Sequence, residues 1–286
     1  MQWVIFNQKG GVGKSSITAN LAAISAKAGL RTLVVDLDPQ GNSSAYLLGK
    51  DLAINNANIA EFFRNTLGFK LFAPKASDYV RQTPHENLFV ITASPQLTEI
   101  QSALESKHKI YKLRDFLKSL GDYDAVYIDT PPNYNFYTIS ALISAEKCLI
   151  PFDCDEFSRQ ALYTLLDNVK EIRSDHNASL VVEGIVVNQF LARASFPQRV
   201  VHELKQEGLP ILESSISSSI KMKESHDAAV PLIDYAPSHK LTREYIRLFF
   251  ELNPGVESSA GYLAKLAQEP VNTASNKLQP QPASAD

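Results

Sequence analysis

The sequence predicts an α/β fold, a mainly parallel twisted sheet with helices on both faces. Short apolar runs alternate with segments of helical periodicity along most of the chain, the pattern of repeated βα units. A glycine-rich loop at residues 8–16 stands directly between the apolar run Trp3-Val4-Ile5-Phe6 and a helical pattern. Two later apolar runs end in aspartate, at Asp36 and Asp129.

Strands are expected at residues 2–7, 32–36, 88–92, 125–129, 147–152 and 181–188. Most are near-continuous apolar runs, as strands covered on both faces should be. The helix expected at 15–28 is stopped by Gly29, and that at 109–120 by Gly121, each glycine serving as a C-terminal cap. Further helices are expected at 158–174, 196–207 and 241–252. The segment from Phe62-Phe63-Arg64 to Tyr79-Val80-Arg81 interleaves aromatics with cations. It reads as core-packing aromatics on a short helix, with stacking on a partner or nucleic acid as the alternative.

A length of 286 residues would suit about two domains, but the motifs run from residue 8 to about residue 190. One domain over 1–254 is therefore expected, followed by a disordered tail over 255–286, rich in Ser, Ala, Pro and Gln. A net charge of −3 gives no global attraction to nucleic acid. The two cysteines, Cys148 and Cys154, fit a reducing compartment, with Cys148 as a buried small hydrophobe. The histidines show no Cys/His metal spacing. No run of about 18 apolar residues exists, and the chain opens directly on a strand, so neither a membrane span nor a signal peptide is expected.

The loop Gln8-Lys9-Gly10-Gly11-Val12-Gly13-Lys14-Ser15-Ser16 carries phosphate chemistry. Glycines between strand and helix let backbone N–H groups curl around an anion, and the helix N-terminus adds a favourable dipole. Lys14 is placed to reach β- and γ-phosphates, and the Ser15 hydroxyl to ligate Mg2+. The fold is therefore expected to be of the P-loop NTPase type. The ordinary pattern, G-x-x-x-x-G-K-[ST], would put glycine at position 8; Gln8 stands there, followed by an extra cation, Lys9. The second strand runs Val34-Val35-Asp36-Leu37-Asp38-Pro39-Gln40-Gly41-Asn42. Acids at i and i+2 leave a strand on the same side, and Pro39 forces the chain out of regular structure. In a parallel sheet this pair lies beside the phosphate loop, outside the carboxyl ends of the strands. Asp129 ends Ala125-Val126-Tyr127-Ile128-Asp129 in the Walker B arrangement, which holds magnesium directly or through water.

The loop from Lys9 to Ser15 resembles the deviant phosphate loop, K-G-G-x-G-K-[ST], of the ParA/MinD family of ATPases, in particular its small Soj-like members. Asp36 to Asn42 resembles that family's first switch and Thr130-Pro131-Pro132 its second. The late segments Lys223-Glu224-Ser225-His226-Asp227-Ala228 and Pro231-Leu232-Ile233-Asp234-Tyr235 are similar too, so the likeness spans roughly residues 1 to 252. It implies ATP and Mg2+ as cofactors, bound by Lys9, Gly10, Gly11, Val12, Gly13, Lys14, Ser15 and Ser16, with Ser15, Asp38 and Asp129 at the metal. Lys9 would contact nucleotide phosphates across a dimer interface and Lys14 those of its own subunit. Asp38 would position the attacking water, Asp36 would support the magnesium and lysine network, and Asn188, ending Val186-Val187-Asn188, would read adenine. One departure stands out: Ser217-Ser218-Ser219 replaces a Pro-Arg-Asn turn that helps frame adenine and supplies a DNA-linked arginine.

The resemblance implies an ATP-dependent homodimer whose weak ATP hydrolysis is stimulated by DNA and a ParB-like or cargo-adaptor activator. The ATP-bound dimer would bind double-stranded DNA nonspecifically and position a plasmid, a chromosome origin or a large protein assembly. A cytoplasmic, nucleoid-associated bacterial protein is expected; with no helix-turn-helix before the first strand, operator-specific repression is not. Residues 190–250 hold eight Lys/Arg against seven acids. Candidate DNA contacts are Arg193, Arg199, Lys221, Lys223, Lys240, Arg243 and Arg247, although solvated helix faces explain such charges equally well. The alternative, a MinD-like membrane-associated ATPase, would need a basic amphipathic C-terminal helix; Tyr262-Leu263-Ala264-Lys265-Leu266 is short and has one lysine, so a membrane partner is not expected.

Overall fold

Eight strands form one sheet in the computed structural model, which describes residues 1–49, 57–68, 74–154, 158–190, 195–256 and 261–268. They are β1 (Gln2–Ile5), β2 (Thr32–Asp36), β3 (Arg81–Gln82), β4 (Leu88–Ile91), β5 (Ala125–Asp129), β6 (Lys147–Phe152), β7 (Val181–Phe190) and β8 (Ile211–Ser217). Their spatial order is β3-β4-β2-β5-β1-β6-β7-β8, and only the short edge strand β3 runs antiparallel to its neighbour. The first strand is thus internal, between β5 and β6, and the chain builds β2 to β5 on one side of it before crossing to build β6 to β8 on the other. Ligands of such sheets bind beyond the carboxyl ends at this reversal.

Successive residues of a strand face opposite ways, and here both faces are buried. Val4, Leu33, Val35, Val126, Ile128, Cys148 and Ile150 enter one core cluster; Trp3, Ile5, Val34, Tyr127 and Leu149 enter the other. Helices α3 (Ile59–Thr66), α4 (Gln96–Ser106), α5 (Lys112–Leu120), α6 (Phe136–Ser144), α7 (Ser158–Asp175) and α8 (Ser195–Gln206) cover the first face. The second is covered by α1 (Lys14–Lys27), α2 (Asn42–Leu48), α10 (Leu232–Tyr235), α11 (Lys240–Leu252) and α12 (Gly261–Gln268), with α9 (Ile220–Ala228) beside them. Helix α1 is buried along nearly its whole length, which suits its run of small residues, Ala19, Ala22, Ala23 and Ala26. Gly29 stops it at φ +89°, a left-handed conformation that glycine adopts without strain.

The strands expected at 32–36, 125–129 and 147–152 have those ends in the structure. The first strand stops two residues early, at Ile5, where the chain turns into the glycine loop, and the one expected to end at Asn188 continues to Phe190. Strands β3 and β8 were not expected. The former has two residues, and the latter is an edge strand rich in polar side chains, Ile211-Leu212-Glu213-Ser214-Ser215-Ile216-Ser217. The aromatics near residue 62 are packing residues: Phe62 lies 4.1 Å from the Phe116 ring and 5.9 Å from Tyr79, and Phe63 and Tyr79 are buried. Phe69, Lys70, Leu71, Phe72 and Ala73 of that segment lie outside the described residues.

One expectation is corrected at the C-terminal end. Residues 261–268, expected within a disordered tail, form helix α12, and Leu263 and Leu266 are buried in the core cluster shared with α11. Two leucines at i and i+3 give even a short helix an apolar stripe to dock. The rest of that stretch, 257–260 and 269–286, lies outside the described residues. Substituting Leu263→Ala should lower unfolding free energy by about 2–4 kcal/mol in urea titrations. An unchanged midpoint would show that α12 is not docked.

Candidate functional site

Three parallel strand ends create the site. Ile5 of β1 pairs with Asp129 of β5, and Asp129 with Asp36 of β2, so the two carboxylates emerge side by side where the glycine loop leaves β1. The Thr130 hydroxyl ties β5 to β1 by donating to the Ile5 carbonyl at 2.7 Å. Asn7 opens the loop, its amide donating to the Pro151 carbonyl while its Oδ1 accepts from Lys9 N at 2.8 Å. Gly13, the N-cap of α1, has φ +87°, and a Cβ there would lie 2.2 Å from Asn188 Nδ2. Glycine is required on both counts.

The loop is braced from behind by the end of β7. Asn188 Nδ2 donates to the Val12 carbonyl at 2.8 Å, and Gln189 Nε2 donates to the Gly11 carbonyl at 2.9 Å. Asn188, expected to read adenine, has a structural contact as well. In this structure its buried amide holds the phosphate loop, and it is not among the residues lining the cavity. Gln189 was missed from sequence because nothing in a strand-ending Asn-Gln pair marks a contact 178 residues away.

In front of the loop lies a cavity of about 380 Å3, lined by Gly10, Gly11, Gly13, Lys14, Ser15, Ser16, Asp38, Gln40, Asn42, Pro132 and His226. Such a volume suits a small-molecule ligand. Lys14 is buried, with its Nζ 3.2 Å from the Lys9 carbonyl. Burial lowers its pKa, an effect opposed by the charges of Asp129 and then Asp38. The switch segment is held by Asp36, which is fully buried and does not line the cavity: its Oδ1 accepts from Asp38 N, and its Oδ2 accepts from Ser44 N at 2.8 Å and Ser44 Oγ at 2.7 Å. Asp38 faces the cavity and is steadied by Gln40 N, which donates to its Oδ1 at 3.0 Å.

The residues expected at the metal fit a divalent cation. Asp129 is fully buried; its Oδ2 accepts from Ser43 Oγ at 2.6 Å, whereas its Oδ1 has no hydrogen-bond partner. The Ser15 hydroxyl reaches the same carboxylate. Burial, reinforced by the negative charge of Asp129, pushes the Asp36 carboxyl up to about 8, and burial pushes Asp129 up to about 6. Asp38 and Asp129 against the single ammonium of Lys14 leave excess negative charge, which a hard cation with oxygen ligands relieves.

Lys9 parts from Lys14. It lies outside the cavity lining, and its Nζ pairs with Asp153 Oδ2 at 2.6 Å. His226, brought by α9, places Nε2 2.8 Å from Ser16 Oγ. Its segment was singled out from sequence, but nothing there marks the histidine.

The expected DNA residues that the structure describes lie on α8, α9 and α11. Arg193 lies outside the described residues. Arg243 is corrected: it is buried, 6% exposed, because α11 turns it inward, so it offers no surface cation. Arg199 is exposed on α8 and pairs with Glu203 at 3.8 Å. On α9, Lys221 pairs with Glu224 at 2.6 Å and Lys223 is exposed. On α11, Lys240 pairs with Glu244 at 3.3 Å, and Arg247 donates from Nε to the Ala267 carbonyl at 3.2 Å. The serines replacing the Pro-Arg-Asn turn have work of their own. Ser217 donates from N and Oγ to Glu244, and Ser219 caps α9 by accepting from Lys221 N.

The strand–loop–helix cradle, its buried lysine and its carboxylates define a nucleotide-binding protein of the P-loop class. Residues 2–182 match the family described as AAA domain. The chain is 33% identical over 251 residues to the chromosome partitioning protein ParA of Myxococcus xanthus, covering 87% of this chain and 86% of that one. Among solved structures, an McdA variant of Cyanothece in complex with ATP superposes with a TM-score of 0.74 at 21% identity, covering 91% and 96% of the two chains. Cobyrinic acid a,c-diamide synthase of Mycobacterium smegmatis, solved with an ATP analogue and magnesium, gives 0.69 at 25% identity, covering 84% and 97%. The chain belongs to the ParA/MinD family of ATPases.

The raised carboxyl groups give a pH signature. Asp36 and Asp129 hold protons more tightly folded than unfolded, where carboxylates titrate near pH 4. Between about pH 4 and about pH 8 the folded chain binds more protons at these sites, so their contribution to stability falls as pH rises. In metal-free buffer, the melting temperature of Asp36→Asn relative to wild type should therefore climb from about pH 5 to about pH 8. A difference that shrinks over that range would contradict burial as the cause.

Proposed function

We propose that the chain is an ATP-driven dimerisation switch. It hydrolyses ATP slowly alone and faster with DNA and an activator, and its MgATP-bound homodimer holds double-stranded DNA without sequence preference. The cycle positions a cargo (a plasmid, a chromosome origin or a large protein assembly) through a ParB-like or cargo-adaptor protein, in the cytoplasm and on the nucleoid.

The observation that carries this reading is the divergence of two lysines on one loop. Lys14 is buried against its own carboxylates, while Lys9 faces away onto Asp153. A loop with only the first would serve a monomeric hydrolase. The second cation supplies charge to a partner subunit's nucleotide once it exchanges Asp153 for a phosphate. Phosphoryl transfer needs an aligned water and positive charge on the transferred group, and a cation delivered in trans is worth about 10³–10⁵ in rate in comparable enzymes. Because that contact exists only in the dimer, ATP favours association by its differential affinity, and hydrolysis removes it.

Nonspecific DNA binding would draw on Arg199, Lys221, Lys223, Lys240 and Arg247, doubled by dimerisation. The membrane alternative is disfavoured by α12, whose Leu263 and Leu266 are buried in the core instead of being available to lipid. No helix among the described residues is long and apolar enough to cross a membrane.

Replacing Asp38→Ala should lower ATP turnover at least about 100-fold, the loss expected when a group that positions the attacking water is removed. The variant should still bind MgATP. Loaded with ATP, it should retard duplexes of unrelated sequence, with affinity falling linearly on a log–log salt plot. Undiminished turnover would remove Asp38 from the mechanism, and duplex binding indifferent to ATP would remove the DNA arm.

A further inference from the structure

Helix α9 delivers an imidazole to the phosphate cavity. His226 Nε2 lies 2.8 Å from Ser16 Oγ, across 210 residues of sequence, and the ring helps line the cavity with Gly13, Lys14 and Ser15. Its orientation is fixed. The ring stacks on Tyr46 with centroids 3.9 Å apart and planes 18° from parallel. Tyr46 is itself held, its hydroxyl bonded to Ser225 and within 3.4 Å of the Asn20 amide. The Ser225 hydroxyl in turn donates to the Val230 carbonyl at 2.6 Å.

Ser16 is the third residue of α1, in the turn whose N–H groups lack intrahelical partners and serve as anion donors. A serine hydroxyl donates one proton and accepts others, so its partner decides where the proton points. If the imidazole N–H donates to Ser16 Oγ, the serine proton is left to a group in the cavity.

We infer that His226 is a positioning residue of the nucleotide site: it orients the Ser16 hydroxyl to donate to a phosphate oxygen, and so makes α9 part of that site. This rests on the nucleotide reading above and deepens it. Lys14, Ser15 and Asp38 already address the transferred phosphoryl group and its metal. The Ser16 contact is therefore assigned to a phosphate that stays with the product, and ADP feels it as strongly as ATP.

Calorimetric titration of MgADP into the full chain tests this. His226→Phe keeps an aromatic ring to stack on Tyr46 but has no donor, and it should raise Kd roughly 10- to 150-fold, the range for a lost hydrogen bond to a charged group. His226→Gln, which restores an N–H at similar reach, should recover most of that loss. Ser16→Ala should weaken binding comparably, and the Ser16→Ala/His226→Phe pair should weaken it little further, as residues acting through one contact do. Turnover at saturating ATP should change less than Kd, the mark of uniform binding. Wild-type ADP affinity in His226→Phe, an equal loss in His226→Gln, or additive effects of the pair would overturn the assignment. Failure of the wild-type chain to bind MgADP would instead overturn the nucleotide reading itself.

Discussion

Asp38 and Asp129 converge on the buried ammonium of Lys14 at the carboxyl end of a parallel sheet, and Asp36 is buried directly beside Asp129. Uncompensated burial of like charges costs several kcal/mol per ion, so the surrounding structure answers to that constraint. The direct pairing of Asp36 with Asp129 forces the two acids together, and the start of α2 supplies Ser43 and Ser44 as donors to them. The remaining charge is what a magnesium-bound triphosphate, itself anchored on the loop, is suited to organise. Phosphate cradle, switch segment and metal site are therefore one electrostatic unit.

That unit is only as good as the backbone that presents it. The glycine loop must expose N–H groups toward the cavity, so its carbonyls face back into the protein and require donors there. Asn188 and Gln189 at the end of β7 supply them to Val12 and Gly11. The close approach at Gly13 follows from that bracing. On the other side, the Ser219 cap sets the start of α9 and thereby the position of His226 against Ser16. The site thus draws on elements from both halves of the sheet.

What was legible in the sequence was what local chemistry encodes. Apolar runs covered on both faces mark β2, β5 and β6 to the residue, and loop glycines and strand-ending acids mark the residues gathered at and just behind the cavity. What was not legible depends on long-range partners. Strand β8 has no strong apolar pattern because it is an edge, and its backbone donors Glu213 N and Ser214 N are satisfied by Glu251 of α11. Arg243 looked like a surface cation because charge says nothing about which way a helix faces. The leucines of α12 looked too sparse to hold structure, yet two suffice where α11 presents a ready apolar surface. The bracing contact of the Asn188 amide with the Val12 carbonyl likewise joins residues 176 positions apart, which no local pattern encodes.

In the proposed cycle Lys9 leaves Asp153 to bridge two copies of the chain through ATP. Sedimentation equilibrium of the full chain, with and without Mg2+ and a non-hydrolysable ATP analogue, tests it most directly when wild type and Lys9→Ala are run side by side. Wild type should double its mass only with the nucleotide, whereas Lys9→Ala should bind nucleotide and remain a monomer. A nucleotide-loaded wild type that stays monomeric, or a Lys9→Ala variant that dimerises equally well, would contradict it.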